Sequence, residues 1–283
     1  MEKIKKFYIS SKPGIVYFVG IVACASAYLG SPNPFKDIIK ILLVSLGVML
    51  SAAGSALINN ILDREIDRMM SRTSKRPTAT GEIDVVEGMG VAVFMIFLGI
   101  TLVLIFGGIV PAVLDALAVI SYDILYTLIL KRKDPFGVIL GGIPGALPTL
   151  IGYYSTAGRF DLLSLILFSF MFLWQPPHFW ALAIKYKEDY SKGKLPVMPL
   201  IYGDRFTKLQ SLLYSMSIVP LVILPVIFGY VKPIFLLITL PASIVFVALH
   251  IISLKRDVSL GRLFALSNLL LLLFFVGFIL SKG

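Results

Sequence analysis

The chain has 283 residues, of which 58% are hydrophobic and only 15% charged, and its mean hydropathy is +0.91. Soluble domains carry roughly 25% charged residues, so a water-soluble globule is excluded. The formal charge of +10 does not signal nucleic acid, because the basic residues cluster in alternate connections between apolar runs.

Apolar runs of about 20 residues recur along the whole length, and each is long enough to cross a ~30 Å hydrocarbon core as a helix. The fold class is all-α: a polytopic membrane protein with helices over 14–31, 38–62, 85–109, 111–130, 136–155, 162–184, 208–230, 233–254 and 262–281, nine in all. They are expected to surround a central cavity in a single domain, 1–283. The basic start "MEKIKKFYISSKP" leads into a span of full length and is not a cleavable signal pattern. All but five of the 26 lysines and arginines (Lys36, Lys40, Arg159, Lys232 and Lys282) lie at the N-terminus or in the connections after helices two, four, six and eight. The positive-inside rule then puts the N-terminus in the cytoplasm and the C-terminus outside. Cys24 lies in the first span and has no partner for an internal disulfide.

Helix two runs into "NNILDREIDRMMSRTSKRP", residues 59–77. On a helix, steps of four residues advance about 40° each, so Asn59, Asp63 and Asp67 share one face. Hard oxygen ligands of this kind suit Mg²⁺, which takes one or two carboxylates together with phosphate oxygens. Arg64, Arg68, Arg72, Lys75 and Arg76 follow, and such groups neutralise phosphate. The competing reading is an interfacial loop in which acids and bases pair with each other. The second long connection, "IKYKEDYSKGKLPVMP", again sets acids (Glu188, Asp189) among bases (Lys185, Lys187, Lys192, Lys194), and a third supplies Lys131, Arg132 and Lys133. A diphosphate held over an apolar cavity is the simplest ligand that uses all three, with an isoprenoid tail lying between helices.

Within the spans, Asp123 is costly in lipid and should face the interior, paired with a neighbouring Tyr or Lys. His250 and Asp115 are expected at an interface, and helix nine is expected to be scaffold. Gly141, Gly142 and Gly145 permit close helix packing. Pro176 and Pro177 should kink helix six. His178 is a structural hydrogen-bonded histidine or, since imidazole suits iron, a haem ligand.

The motifs resemble those of the UbiA-type intramembrane prenyltransferases, and within them the haem O synthases. "NNILDREID" is similar to the N-D-x-x-D-x-x-x-D pattern, with Asn60 for the first Asp. "RTSKRPTATGEI" resembles R-T-x-x-R-P-x-A-x-G. "YTLILKRKDPFGVILGGIPGALPTLIG" and "WQPPHFWALAIKYKEDYSKGKLPVMP" resemble two further stretches, the W-Q-x-P-H-F run being that of the haem branch. "SKPGI" is similar to a K-P-R-I entry into helix one. The similarity covers residues 12 to about 205. Gly14, Gly137, Thr149 and Lys194 stand where the pattern has Arg, Asn, Pro and Gly. Lys185 takes the first position of a second D-x-x-x-D, leaving Asp189.

The resemblance implies a farnesyl transfer from farnesyl diphosphate to a vinyl group of haem b, through an allylic cation, in the cell's inner membrane with the site on the cytoplasmic side. It implies Mg²⁺ held by Asp63 and Asp67 with Asn59 and Asp189. It implies diphosphate contacts from Arg72, Arg76, Lys131, Arg132 and Lys185, rings of Tyr122 and Tyr126 facing the cation, and His178 on the haem. Haem A synthase or a terminal oxidase is the expected recipient of the product, the lipid bilayer the surroundings, and nucleic acid no partner. Three alternatives remain: another aromatic or lipid acceptor, a transporter, and a haem carrier without chemistry. A transporter would need ionisable groups near the bilayer midplane, where the spans offer little besides Asp123, and a carrier leaves Asp63 and Asp67 unexplained.

Overall fold

In lipid every backbone polar group must be satisfied within the chain, so apolar segments of this length fold as helices. The computed structural model describes residues 2–256 and 258–282, and among them nine helices are long and apolar enough to cross a membrane. These spans are Pro13–Gly30, Ile38–Leu62, Val85–Gly107, Ile109–Lys133, Gly137–Ala157, Leu162–Lys185, Gly203–Ile227, Ile234–Lys255 and Leu260–Ser281. All nine expected helices are present. The seventh begins earlier than its apolar run, at Gly203, because the polar turn Gly203–Lys208 is already helical. The described residues contain no strand, only an isolated bridge between Val231 and Lys282.

The long connections at the basic end of the bundle are themselves structured. An N-terminal helix, Glu2–Ser10, precedes the first span. The 63–84 connection holds short helices at Arg64–Met69 and Pro77–Thr80, and the 185–202 connection holds them at Lys187–Lys192 and Met198–Ile201. The third span starts at Asp84, whose carboxylate accepts from the N–H groups of Val86 and Glu87, meeting the unsatisfied amides of a helix start. Asp161 and Ser164 form a reciprocal capping box at the start of the sixth.

Without a hydrophobic force between helices in lipid, small residues let backbones approach. Gly47 and Gly54 of the second span meet the third at Gly99 and Ala92, and Gly152 of the fifth lies against the Ala23 carbonyl of the first. One apolar core joins the first, fifth, sixth, seventh, eighth and ninth spans around Phe170, Trp174, Phe235 and Phe274. Large apolar side chains such as Phe94, Phe97, Ile105 and Leu237 face outward, the surface that lipid covers.

The fourth span departs from the regular helix expected over 111–130. Its stretch Ser121–Leu130 is a π-helix, an unusual form that recurs at functional sites. The hydroxyl of Thr127 donates to the carbonyl of Tyr122, five residues back. The second and fourth spans then pair in steady register: Ser55 with Asp123, Asn59 with Thr127, and Asp63 with Lys131. Pro176 and Pro177 sit inside the sixth span without ending it. They leave the carbonyls of Phe172 and Leu173 without helical donors.

Two predictions follow from these contacts. A methyl group at Gly152 would run into the backbone at Ala23, so Gly152→Ala should lower stability by roughly 2 to 4 kcal/mol, read as a lower Tm in detergent. Lys194 has φ 53°, a left-handed conformation that costs a non-glycine residue about 1 kcal/mol. Lys194→Gly should therefore raise the Tm slightly.

Candidate active site

The second span ends at Leu62, and Asp63 forms the junction with the short helix that follows. The expected single helix through Asn59, Asp63 and Asp67 is thus broken at Asp63. The N–H of Asp67 still bonds to the Asp63 carbonyl at 2.7 Å, so the three side chains stay together. Asn59, Asp63 and Asp67 are 2%, 1% and 4% exposed. A buried carboxylate needs paired charge or hydrogen bonds, and here both are supplied by segments far away in the chain.

Asp63 pairs with Lys131 through one oxygen and with Arg132 through the other, at 3.2 Å. The Asn59 amide donates to Asp63 at 3.1 Å and to Thr127 at 2.9 Å, and its oxygen accepts from Lys12. Asp67 pairs with Arg76 at 2.8 Å, and the same guanidinium donates to Asn60 at 3.0 Å. Asn60 in turn donates to the Ser10 carbonyl, 2.7 Å, tying the N-terminal helix to the cluster. Asn60, in place of an aspartate, is therefore an arginine acceptor and a clasp for the first segment.

Lys12 was not singled out from the sequence, although "SKPGI" contains it. It sits immediately before the first span with φ 53°. Burial pushes its ammonium down to about 7, with Arg76 and Lys131 adding to the fall and Asp63 and Asp67 opposing it. The site thus gathers four basic side chains, Lys12, Arg76, Lys131 and Arg132, around two carboxylates and the amides of Asn59 and Asn60.

A second group, Arg72, Lys185, Tyr186 and Asp189, lines a hollow of about 660 Å³ at the same end of the bundle. The cations of Arg72 and Lys185 each stand 5.2 Å from the Tyr186 ring centroid. Asp189 accepts from the backbone N–H of Ser71 at 3.2 Å and of Arg72 at 3.0 Å. Those amides, the Arg72 bond first, hold its carboxyl below the usual carboxylate range. Asp189 therefore pins one long connection to the other.

The oxygen-only donor set of Asn59, Asp63 and Asp67 fits Mg²⁺, which prefers hard ligands and completes its shell from phosphate. Asp189 was expected to join this set. In this structure its two oxygens accept from the backbone amides of Ser71 and Arg72.

Deeper in the bundle the expectations divide. Tyr122 and Tyr126 stack with centroids 5.7 Å apart, on the π-helical stretch beside Asp123 and Thr127. Asp123 is buried as expected, but its partner is the hydroxyl of Ser55, 3.0 Å, rather than a tyrosine or lysine. Asp115 is not interfacial: it is buried and bonded by Ser51 at 2.6 Å. His250 is also buried, with Nδ1 against its own helix carbonyl at Phe246, 2.8 Å. His178 is half-buried between Trp174 and Phe264, with ring centroids 4.3 Å from each, and its Nδ1 lies 2.7 Å from the Ser267 hydroxyl. The ninth span is thus more than scaffold. Gly141 and Gly145 make room for Tyr126 and Gln175, and Gly142 accepts the Gln175 amide through its carbonyl at 2.8 Å.

Residues 16–274 match the model of the UbiA prenyltransferase family. The chain is 39% identical over 246 residues to protoheme IX farnesyltransferase of Aquifex aeolicus, covering 87% of this chain and 84% of that one. It is 37% identical to the protein of that name in Hahella chejuensis, over 80% and 75% of the two chains. A solved structure of digeranylgeranylglyceryl phosphate synthase superposes with a TM-score of 0.81 over 99% of both chains at 21% identity. A UbiA homolog from Archaeoglobus fulgidus bound to DMAPP and Mg²⁺ gives 0.66 over 97% and 99% at 18% identity. At those identities the structures show a shared fold.

The Lys12 environment has a pH signature. Its folded value of about 7 lies below the ordinary 10.5, so between those pH values the unfolded chain holds a proton that the folded chain lacks. Stability of the ligand-free protein should rise with pH across that window. A Lys12→Met variant should lose this part of the slope, as read from Tm against pH beside the wild type.

Proposed function

The chain belongs to the UbiA prenyltransferase family, and from that premise we propose that it transfers the farnesyl group of farnesyl diphosphate to a vinyl group of haem b. The observation that carries the reading is the buried trio Asn59, Asp63 and Asp67 met by four basic side chains, at one end of an otherwise apolar bundle. A prenyl diphosphate has the matching polarity, a highly charged head on a hydrocarbon tail. The relatives named for this reaction support the acceptor.

Asp63 and Asp67, with Asn59, would hold Mg²⁺, and Asp189 serves by fixing the Arg72 turn over the hollow. When bound, the metal supplies positive charge to the diphosphate oxygens. Lys131, Arg132 and Arg76 lie ready to leave the carboxylates for the phosphate oxygens and Lys12 to leave Asn59, while Arg72 approaches from the first long connection and Lys185 from the end of the sixth span. As the C–O bond breaks, the electron pair stays with the diphosphate, and these cations stabilise that growing charge more than the ground state. The allylic cation forms on the membrane side of the cluster, where the stacked rings of Tyr122 and Tyr126 offer π-electrons. Tight helix packing excludes water that would quench it. The haem vinyl group attacks the cation, and water then captures the new carbocation to give a hydroxyethylfarnesyl product. The chemistry requires no covalent enzyme nucleophile. The farnesyl tail lies among apolar helices, and His178 contacts the haem.

The distribution of lysine and arginine supports an inner-membrane protein with the site at the cytoplasmic face, the N-terminus inside and the C-terminus outside. The product would pass to haem A synthase or a terminal oxidase.

Purified protein given haem b, farnesyl diphosphate and Mg²⁺ should yield farnesylated haem by mass spectrometry. Chelation should stop turnover, and added Mg²⁺ should restore it. An Asp63→Asn/Asp67→Asn variant should lose on the order of a hundredfold or more in rate. Prenylation of a different acceptor with haem untouched would sink the haem assignment and leave the family reaction standing.

A further inference from the structure

The N-terminal helix Glu2–Ser10 is built inside out for a segment in water. At about 100° per residue, Lys3, Lys6, Phe7 and Ser10 share one face, and Ile4, Tyr8 and Ile9 fall on the other with Lys5 among them. The first face lies on the protein. Lys3 pairs with Glu87 at 2.6 Å and Lys6 with Glu82 at 3.1 Å. Phe7 packs against the cluster of Leu57, Ile61 and Ala92, and Ser10 is buried. The second face is turned outward: Ile4, Tyr8 and Ile9 are 73%, 51% and 48% exposed. Paired charges thus face the bundle and apolar side chains face away from it, the reverse of a helix on a water-washed surface.

The height of the helix is set by its neighbours. The Tyr8 hydroxyl lies 2.9 Å from that of Tyr17, one turn inside the first span. Tyrosines, with an apolar body and a polar tip, gather where acyl chains meet headgroups. Ile15 and Phe18 of the first span and Val86 in the first turn of the third are also exposed, so the outward face adjoins the surface that lipid covers. Lys5 is exposed beside Ile4 and Ile9, and its stem is long enough to lift the ammonium to headgroup phosphates. Basic residues flanking an apolar face are what a helix lying in the membrane interface requires. A second copy of the chain is a poorer occupant. Three apolar side chains on nine residues fall far short of the roughly 800 Å² per partner of a stable interface.

The helix ends beside the charged cluster. Asn60 donates to the Ser10 carbonyl at 2.7 Å, and Lys12, two residues further on, reaches Asn59. What holds the helix therefore also holds Lys12.

We propose that the Ile4, Tyr8 and Ile9 face docks in the acyl–headgroup boundary of the bilayer at the basic end of the bundle, and that this anchor positions Lys12 in the site. The positioning role rests on the reading of the cluster as a diphosphate site; the docking does not.

The test is electron paramagnetic resonance of nitroxide labels at Ile4→Cys and, separately, Ile9→Cys. The background is Cys24→Ser, in nanodiscs of phosphatidylcholine and phosphatidylglycerol. Collisions with oxygen, which partitions into lipid, should exceed those with a nickel chelate, which stays in water. A label at Glu2→Cys, on the polar edge, should show the reverse. Nickel collisions dominating at positions 4 and 9 overturn the docking. Dipolar broadening between labels that vanishes on dilution with unlabelled protein places a second copy on the face and also overturns it. Ile4→Asp/Ile9→Asp should open a label at Tyr8→Cys to nickel. It should also raise KM for farnesyl diphosphate on the order of tenfold, the loss of one charge-assisted contact, with kcat changed much less. Ile4→Ser/Ile9→Ser, the milder pair, should move both readings the same way. An unchanged KM in a variant whose label has become open to nickel overturns the positioning role and leaves the docking standing. A wild type that turns over farnesyl diphosphate with no acceptor overturns the diphosphate reading, and the labels still decide the docking.

Discussion

Two carboxylates buried at the end of an apolar span are the constraint around which the molecule is arranged. An isolated charge in such surroundings is prohibitively costly, and a paired one is tolerated only when its remaining lone pairs are also met. Asp63 and Asp67 meet that condition by drawing Lys131 and Arg132 from the fourth span, Arg76 from the following connection and, through Asn59, Lys12 from the entry to the first. The ends of three spans are brought to one point by this requirement. The same pairing leaves the cations poised: an incoming diphosphate offers them a more highly charged partner while a divalent ion takes over the carboxylates.

The fourth span carries the consequences inward. Its π-helical stretch keeps Asp123, Thr127 and Lys131 facing Ser55, Asn59 and Asp63, so a polar seam descends from the site between two otherwise apolar helices. Tyr122 and Tyr126 are presented from the same stretch. A feature that would be a defect in a plain membrane helix thereby sets the level at which the polar seam meets stacked aromatic rings.

The opposite wall has a different logic. The sixth and ninth spans meet through aromatic stacking and the Ser267 hydroxyl, with no ion pair between them among the described residues, and they hold the His178 imidazole between two rings. The long connections close over both walls, and Asp189 ties one to the other through backbone amides. The charged cluster and the His178 stack thus reside on separate helices, joined at the basic end.

Much of this was legible in the amino-acid order. Span number follows from hydropathy, because the length of an apolar run and the bilayer thickness are both local quantities. The Asn59, Asp63, Asp67 face follows from helical periodicity, and the surplus of cations beside it from composition. What the order of residues could not settle was pairing. Whether Asp123 meets a tyrosine or Ser55, whether Asp189 joins a metal set or clasps a turn, and whether Lys12 reaches Asn59 all depend on residues distant in the chain. Asp115 and His250 looked interfacial because burial is decided by what packs outside a helix. The π-helix left no mark in periodicity, since it is selected by contacts with the second span. Local sequence determined the spans, the charged end and the chemistry available. Tertiary structure alone decided which charges neutralise one another and which lone pairs remain free, because electrostatics in a low-dielectric interior depends on distances that only packing sets.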